Sequence, residues 1–345
     1  MGAKETVCSN INKVLVTGGG GFVGRAIVRM LTERGVSCRV IGRNRYPEIE
    51  EMGGECLVGD ISDRHIVLEA TRDVDTVFHV AALAGIWGPW HDYYTTNVIG
   101  TENVIHGCQV NNVARLIYTS TPSVVFDQQD IRGGDESLPY ASRFLCNYAK
   151  SKMMAEKIVL SADSDSLHSC AIRPHLIWGP GDPHLIPRLV ESGKNGKLKI
   201  IGSGNNMVDI SYIDNVAHGH LLAADNLASA GTAAGNAYFL GQEKPVVLWQ
   251  WVNVLFSKTG IPQVTASVPF AVAYCIGALL ESAYRLCRIR KEPAMTRFVA
   301  YQLSKSHYFS HDRARRDLDY SPVVSVEEGM ERTVRWVKEH DQNGT

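Results

Sequence analysis

The sequence predicts an α/β fold in which a doubly wound parallel sheet carries a smaller C-terminal α+β lobe. Three observations predict it. Short Val- and Ile-rich runs alternate with amphipathic stretches up to about residue 180. Those runs lack polar alternation, as strands buried on both faces do. The first of them opens directly into a glycine run followed by an amphipathic segment. Composition agrees: of 345 residues 45% are hydrophobic and 21% charged, and 35 Lys+Arg against 36 Asp+Glu leave a net charge of -1. Such a chain is globular and not disordered. Near-neutral charge also argues against nucleic acid as a partner, because that affinity rests on phosphate contacts.

The strand candidates are Lys13–Thr17, Cys38–Gly42, Glu55–Gly59, Asp75–Ala81, Arg115–Ser120 and Cys170–Trp178. The segments between them, beginning with Phe22–Arg34, are long enough for crossover helices. Beyond residue 180 the alternation gives way to turn-rich stretches, "GPGDPH", "GKNGKLKIIGSGNN" and "SAGTAAG". The division is therefore 12–180 for the sheet and 181–340 for a lobe whose strands and helices partly return to it. The eight cysteines (Cys8, Cys38, Cys56, Cys108, Cys146, Cys170, Cys275 and Cys287) form no CxxC pair, and several sit in apolar runs. That usage suits small buried hydrophobes in a reducing cytoplasm, with neither disulfides nor zinc. The first eleven residues hold one Lys, one Glu and no apolar core, so no signal peptide is expected. Val268–Leu280 is the longest apolar run, interrupted by Pro269 and short of the ~20 residues that span a bilayer. His218 and His220, two apart on an expected helix, face different directions, and no metal is expected.

Thr17–Gly24 reads "TGGGGFVG" and places Gly18, Gly21 and Gly24 at a strand-to-helix junction. The first glycine permits a tight turn, the second lets backbone approach a pyrophosphate, and the third allows close helix packing. Phe22 and Val23 then open a helix whose free N–H groups and positive dipole end face the phosphates. At the end of the second strand, where an acid would bind the ribose hydroxyls of NAD, stand Gly42 and Arg43, with Arg45 close behind. An acid repels a 2′-phosphate, whereas glycine makes room for it and Arg43 can hydrogen-bond it. The cofactor read from these residues is NADP(H), with NAD(H) the alternative if Arg43 is merely solvated. Asp60, with Ile61 after it, follows the third strand and either meets the adenine edge or caps the next helix.

Tyr148 and Lys152, in "YAKSK", lie at i and i+4 and share one helical face. Reduction of a carbonyl needs a proton donor for the alkoxide that forms. A free phenol near pKa ~10 is a poor one, and an adjacent ammonium lowers that value. Lys152 can also bind the nicotinamide ribose. A hydroxyl to hold the carbonyl oxygen is offered by Ser120, Thr121 or Ser123 in "YTSTPS". A surface helix pair is the plain alternative for Tyr148 and Lys152.

These motifs, with "HVAALAG" after the fourth strand and "RPHLIWGPGD" after the sixth, resemble the extended short-chain dehydrogenases/reductases over roughly residues 12–340. Within that superfamily the chain is most similar to the 3β-hydroxysteroid dehydrogenase branch. The resemblance implies a Rossmann-type sheet, with Thr121 as hydroxyl partner, Tyr148 as acid/base and Lys152 as its activator. It also implies that Ala81 and Ala82 line the cofactor, that Asn97 ties the sheet to the following helix, and that Pro174 packs near the nicotinamide. Residues 173–227 resemble sterol-4α-carboxylate 3-dehydrogenases. The same run, with "YTSTPSV" and "PAMTRFVA", resembles more closely the bacterial 2-alkyl-3-oxoalkanoate reductases of long-chain olefin biosynthesis. Gly42-Arg43 departs from the acid of the NAD-using sterol enzymes and favours an NADP-using reductase of a bulky 3-oxo acid. The sterol dehydrogenase reaction is the runner-up and a nucleotide-sugar epimerase the third. A non-catalytic NADP-binding sensor or scaffold is the reading from another class. The resemblance also implies a homodimer through the helices bearing Asn97–Asn111 and Tyr148–Leu160.

Two features bear on a hydrophobic small-molecule substrate. Trp87, Trp90, Tyr93 and Tyr94 in "GIWGPWHDYY" would form an apolar wall beside the nicotinamide or, equally, close a domain core. Val268–Leu280 leads to Arg285, Arg288, Arg290 and Lys291, a pattern of peripheral membrane contact or of a lobe helix with a solvated end. His184 and Arg188 are candidates to bind a substrate carboxylate.

Overall fold

Seven parallel strands form the central sheet in the computed structural model, which describes residues 11–342. They are β1 (Lys13–Thr17), β2 (Ser37–Gly42), β3 (Glu55–Val58), β4 (Thr76–His79), β5 (Arg115–Thr119), β6 (His168–Pro174) and β7 (Ala237–Leu240). Their spatial order is β3-β2-β1-β4-β5-β6-β7. The order reverses between β1 and β4, which opens a crevice at their C-terminal ends. Val16 pairs with Val40 on one side and with Phe78 on the other. Both faces are buried, as the Val- and Ile-rich runs require. Val14 and Val16 enter one hydrophobic cluster and Leu15 the other, all fully buried.

Helices α1 (Phe22–Glu33), α2 (Gly100–Val110), α3 (Asn147–Ser161) and α4 (Ile213–Leu227) cover the sheet. Ile27 of α1 and Leu221 of α4 share the first cluster, and Arg29–Asp214 and Arg34–Asp225 ion pairs at 2.8 Å join the two helices. Val104 of α2 and Val159 of α3 fill the second cluster.

Two expected strands are shorter than their apolar runs. After His79 the chain leaves the sheet because the N–H groups of Val80 and Ala81 donate to Thr17 Oγ1. After Pro174 a left-handed Leu176 (φ 39°) breaks the run, and Ile177–Trp178 pairs separately with Ser211–Tyr212. A smaller sheet joins Val246–Val247, Met207–Val208, His307–Phe309 and Ile131–Gly134 in that order. Its last strand comes from before residue 180, and β7 from after it, so the chain crosses between the two sheets in both directions.

Helices α5 (Phe270–Leu286) and α6 (Arg297–Ser304) lie against each other. Ala273, Gly277 and Glu281 form the buried face of α5 at i, i+4, i+8 spacing. A Cβ on Gly277 would stand 2.6 Å from the Thr296 carbonyl carbon, so backbone meets backbone there. Glu281 accepts the Arg297 backbone N–H at 2.7 Å and its guanidinium. The opposite face of α5 exposes Val272, Ile276 and Leu279. No helix among the described residues is long and apolar enough to cross a membrane. Cys38, Cys108, Cys146 and Cys170 are buried, while Cys275 and Cys287 on α5 and its end are exposed, and Cys8 lies outside the described residues.

Candidate active site

The cavity begins at the glycine turn after β1. Gly18 adopts φ +68°, and its carbonyl accepts the Gly21 N–H at 2.9 Å. A Cβ on Gly18 would lie 2.9 Å from Ala81 Cα, and one on Gly24 would lie 2.3 Å from the Gly18 carbonyl oxygen. The strand-end loop and helix α1 therefore both close onto this turn. Gly21 is the N-cap of α1, no side chain caps it, and no acid stands in the first turn. The first N–H groups of α1 consequently point at the cavity without an intramolecular partner of their own. A space of about 720 Å³ extends from here, with Gly18, Gly21, Phe22, Val23 and Gly24 in its wall.

At one end the cavity is bounded by Gly42, Arg43, Asp60 and Ile61. Arg43 makes no ion pair among the described residues, whereas Arg45 is held by Glu50 at 2.7 Å. Only the first of the two arginines is thus available to a phosphate. The space above Gly42 is not free: a Cβ there would meet the Tyr46 hydroxyl at 2.7 Å. Asp60 Oδ1 accepts the Ser62 N–H at 2.9 Å and its hydroxyl at 2.8 Å. The capping alternative for Asp60 fails, because the next helix, Arg64–Ala70, is capped by Asp63.

Midway, after Ala81 and Ala82, the wall is made by Thr121, Tyr148, Lys152 and Pro174. Tyr148 faces Thr121, whose hydroxyl donates to Ser123 Oγ at 3.3 Å. Burial raises the Tyr148 phenol well above its ordinary value, and the Thr121 hydroxyl opposes that rise. Lowering by Lys152 is not present in this arrangement, a correction to the expected pairing. The Lys152 ammonium instead donates to the Thr119 carbonyl and lies 4.1 Å from the centre of the Tyr118 ring. Burial lowers Lys152 itself to about 7, with Glu156 one turn further on acting against the shift. Glu156 in turn is fully buried, paired with Arg173 of β6, and accepts the Tyr140 hydroxyl at 2.9 Å.

At the far end stand Leu176, His184, Arg188, and Phe298 and Leu303 of α6. Arg188 is engaged: both of its terminal nitrogens donate to Glu292, at 3.0 and 3.1 Å. The aromatic wall expected from "GIWGPWHDYY" is elsewhere. Tyr93 is buried, and its hydroxyl donates to the Gly85 and Trp87 carbonyls at 2.9 and 3.2 Å, bracing its own loop. Trp90 packs on Tyr94 and under the Lys150 ammonium at 4.5 Å, outside the cavity lining. Trp87 faces a second, adjoining space.

This arrangement agrees with the relatives of the chain. Residues 15–271 match the model of the 3-beta hydroxysteroid dehydrogenase/isomerase family. The chain belongs to that family. A 2-alkyl-3-oxoalkanoate reductase of Shewanella oneidensis is 46% identical over 338 residues, covering 96% of this chain and 87% of the relative. A decarboxylating sterol-4-alpha-carboxylate 3-dehydrogenase of Homo sapiens is 34% identical over 325 residues, covering 93% and 87%. Among solved structures, gox2253 superposes with a TM-score of 0.79 at 28% identity, covering 95% of this chain and 98% of that one. As a member of this family the chain is an oxidoreductase acting on hydroxyl or keto groups.

Several residues that support the cavity walls were missed in the sequence. Thr17 Oγ1 bonds His79 Nδ1 at 2.8 Å, and His79 Nε2 bonds Thr101 Oγ1 at 2.9 Å. Thr101 donates to the Asn97 carbonyl, which fixes the neutral tautomer of His79. Burial lowers His79 to about 3, so it stays neutral. Asn97, in a π-helical turn at Tyr94–Ile99, accepts the Leu83 N–H at 2.7 Å and donates to the Leu83 carbonyl and to Ser151 of α3. Its tie is therefore to the loop after β4 and to the helix of Tyr148. At the far end His175 Nε2 meets His307 Nδ1 at 2.6 Å, and His307 Nε2 meets the Gln302 carbonyl. The Asn97 signal was in the sequence. Tyr46, Phe298 and His307 carried none: the first sits in a short loop that no motif marks, and long-range packing brings the other two here.

Proposed function

We propose that the chain is an NADP(H)-dependent reductase of a bulky, hydrophobic 2-alkyl-3-oxoalkanoate, forming the 3-hydroxy acid. The observation that carries this reading is the continuity of one cavity from Arg43, past Thr121, Tyr148 and Lys152, to an apolar end at Leu176, Phe298 and Leu303. A nicotinamide dinucleotide fits the wall. The glycine turn packs tightly against Ala81 and the start of α1, and the uncapped N-terminus of α1 suits its phosphates. Gly18, Gly21, Gly24, Ala81, Ala82 and Pro174 would hold it, with Arg43 on the 2′-phosphate. When bound, the dinucleotide supplies the hydride for C3.

Thr121 and Tyr148 would hold the C3 oxygen, and Tyr148 would give it the proton. Burial keeps the phenol protonated, the state from which it would give its proton to the C3 oxygen. Lys152, held on the Thr119 carbonyl, would bind the nicotinamide ribose, and solvent reprotonates the phenolate that Tyr148 leaves behind. The test is to offer purified protein NADPH or NADH with a long-chain 2-alkyl-3-oxo acid, and NADP or NAD with a 3β-hydroxysterol carboxylate. Turnover of the sterol alone, and with NAD, would overturn both substrate and cofactor. No turnover of either would leave a dinucleotide-binding module. Tyr148→Phe is expected to lower kcat by about 10²–10⁴-fold while the fluorescence titration with NADPH is unchanged. The homodimer implied by resemblance forms part of the same reading, and sedimentation at twice the monomer mass is its expected result.

A further inference from the structure

Ile86 belongs to two cavities. On one side it lines the main space together with Leu83, and on the other it lines a second space of about 460 Å³. That volume lies in the ~300–1,000 Å³ range of small-molecule sites. Trp87, Pro89, Leu145 and Ile289 wall the second space, and Cys146 and Asn147, the two residues before Tyr148, line it as well. Two of its polar side chains are already engaged by backbone. Asn147 donates to the Gly88 carbonyl at 2.9 Å, and the Trp87 indole donates to the Ile289 carbonyl at 3.1 Å. The rest of its wall is hydrocarbon and ring surface together with three arginines, Arg285 over the Trp87 ring at 5.5 Å, Arg288 and Arg290.

We propose that this second cavity receives one of the two hydrocarbon chains of the substrate, the other chain lying in the Leu176 and Leu303 end of the main cavity. The inference rests on the reading of the substrate as a 2-alkyl-3-oxo acid. Such a molecule branches at C2, beside the reacting C3, so two chains leave the reaction centre in different directions. One undivided channel holds one of them. A fork at Ile86, adjoining the residues that lead into Tyr148, holds both. A sterol nucleus, a single rigid body, has no use for the fork.

The experiment runs two series of 2-alkyl-3-oxo acids with NADPH, one lengthened at C2 and the other beyond C3. Leu145→Trp and Ile289→Trp fill the second cavity, and Ile289 is 41% exposed, so its replacement leaves the fold intact. A buried methylene is worth roughly fourfold in an equilibrium constant. Wild type is therefore expected to gain about fourfold in kcat/KM per methylene in both series until each chain is accommodated. Each variant is expected to flatten one series only, with a loss of more than about tenfold at its longest member, roughly two lost methylenes. The shortest member should stay within about twofold, since its turnover reads the chemistry alone. Both series flattened alike, or neither, would overturn the inference. A wild type that reduces not even the shortest member overturns the substrate reading, and the inference with it.

Discussion

The two ends of the cavity are built in different ways. The dinucleotide end is made by residues near one another in sequence, at the C-terminal ends of consecutive parallel strands, and each is constrained by a contact of a few ångströms. Gly18 and Gly24 admit no Cβ, and Thr17 fastens the next strand end to theirs. The substrate end draws on residues 83–86, 175–188 and 298–303, from a loop, a broken strand and helix α6. Its ion pair is exposed, and its buried hydrogen bonds, such as His175 to His307, join segments far apart in sequence. Local backbone chemistry dictates the first end, and long-range contacts dictate the second. Substitutions should accordingly be severe at or beneath the first and mild at the second.

The largest stability effect is expected where the two ends meet, under α3. Glu156→Ala leaves Arg173 buried without its partner, and about 3–5 kcal/mol of stability should be lost in urea titration. A loss below 1 kcal/mol would mean that the joint is not a pair. Next comes Arg43→Ala. Removal of one charge-assisted contact is worth about 1.5–3 kcal/mol, so KM for NADPH should rise roughly 10- to 100-fold while KM for NADH stays put. Equal rises would erase the assignment of the 2′-phosphate. The parallel swap Gly42→Asp requires Tyr46→Ala as well, because the new side chain otherwise meets the phenol.

The dinucleotide end also has its own acid sensitivity. His79 is lowered from 6.5 to about 3, so the unfolded chain takes up its proton first as pH falls. Its contribution is whole above pH 6.5 and is lost between 6.5 and 3, at up to roughly 1 kcal/mol per pH unit. The urea midpoint of His79→Gln should therefore decline less steeply between pH 7 and 4 than that of wild type. An identical slope would show that His79 does not titrate on unfolding. The smallest effect belongs to the substrate end. Arg188→Ala breaks an exposed pair, worth under about 1 kcal/mol, and kcat/KM should change less than about threefold. A larger fall would make Arg188 a carboxylate ligand after all.

The same contrast explains what could be read from the sequence. The glycine turn, the Tyr148–Lys152 spacing and the Thr121 hydroxyl were legible, because local backbone geometry demands them in a fixed order. Trp90 and Tyr93 lie outside the main cavity and Trp87 lines the adjoining one, and composition cannot tell an aromatic that lines a cavity from one that braces its own loop. Asp60 and Asp63 both stand where a cap can form, and hydrogen bonding alone distinguishes them. The role of Phe298 and His307 at the far end depends on long-range packing that no spacing encodes, and that of Tyr46 over Gly42 on the course of a short loop that no motif marks. The full helical face of Tyr148 was legible, but the carbonyl that holds Lys152 was not.

Asn97 links two parts that are usually described apart. One amide side chain grips both backbone groups of Leu83, two residues beyond Ala81 at the glycine turn, and also the Ser151 hydroxyl next to Lys152. Mechanically it is a crossbar. The loop after β4 and the turn of α3 that carries Tyr148 are held to one another through this single side chain. A rigid crossbar of this kind keeps the distance between the donor of the proton and the wall of the cofactor constant, whichever of the two moves first.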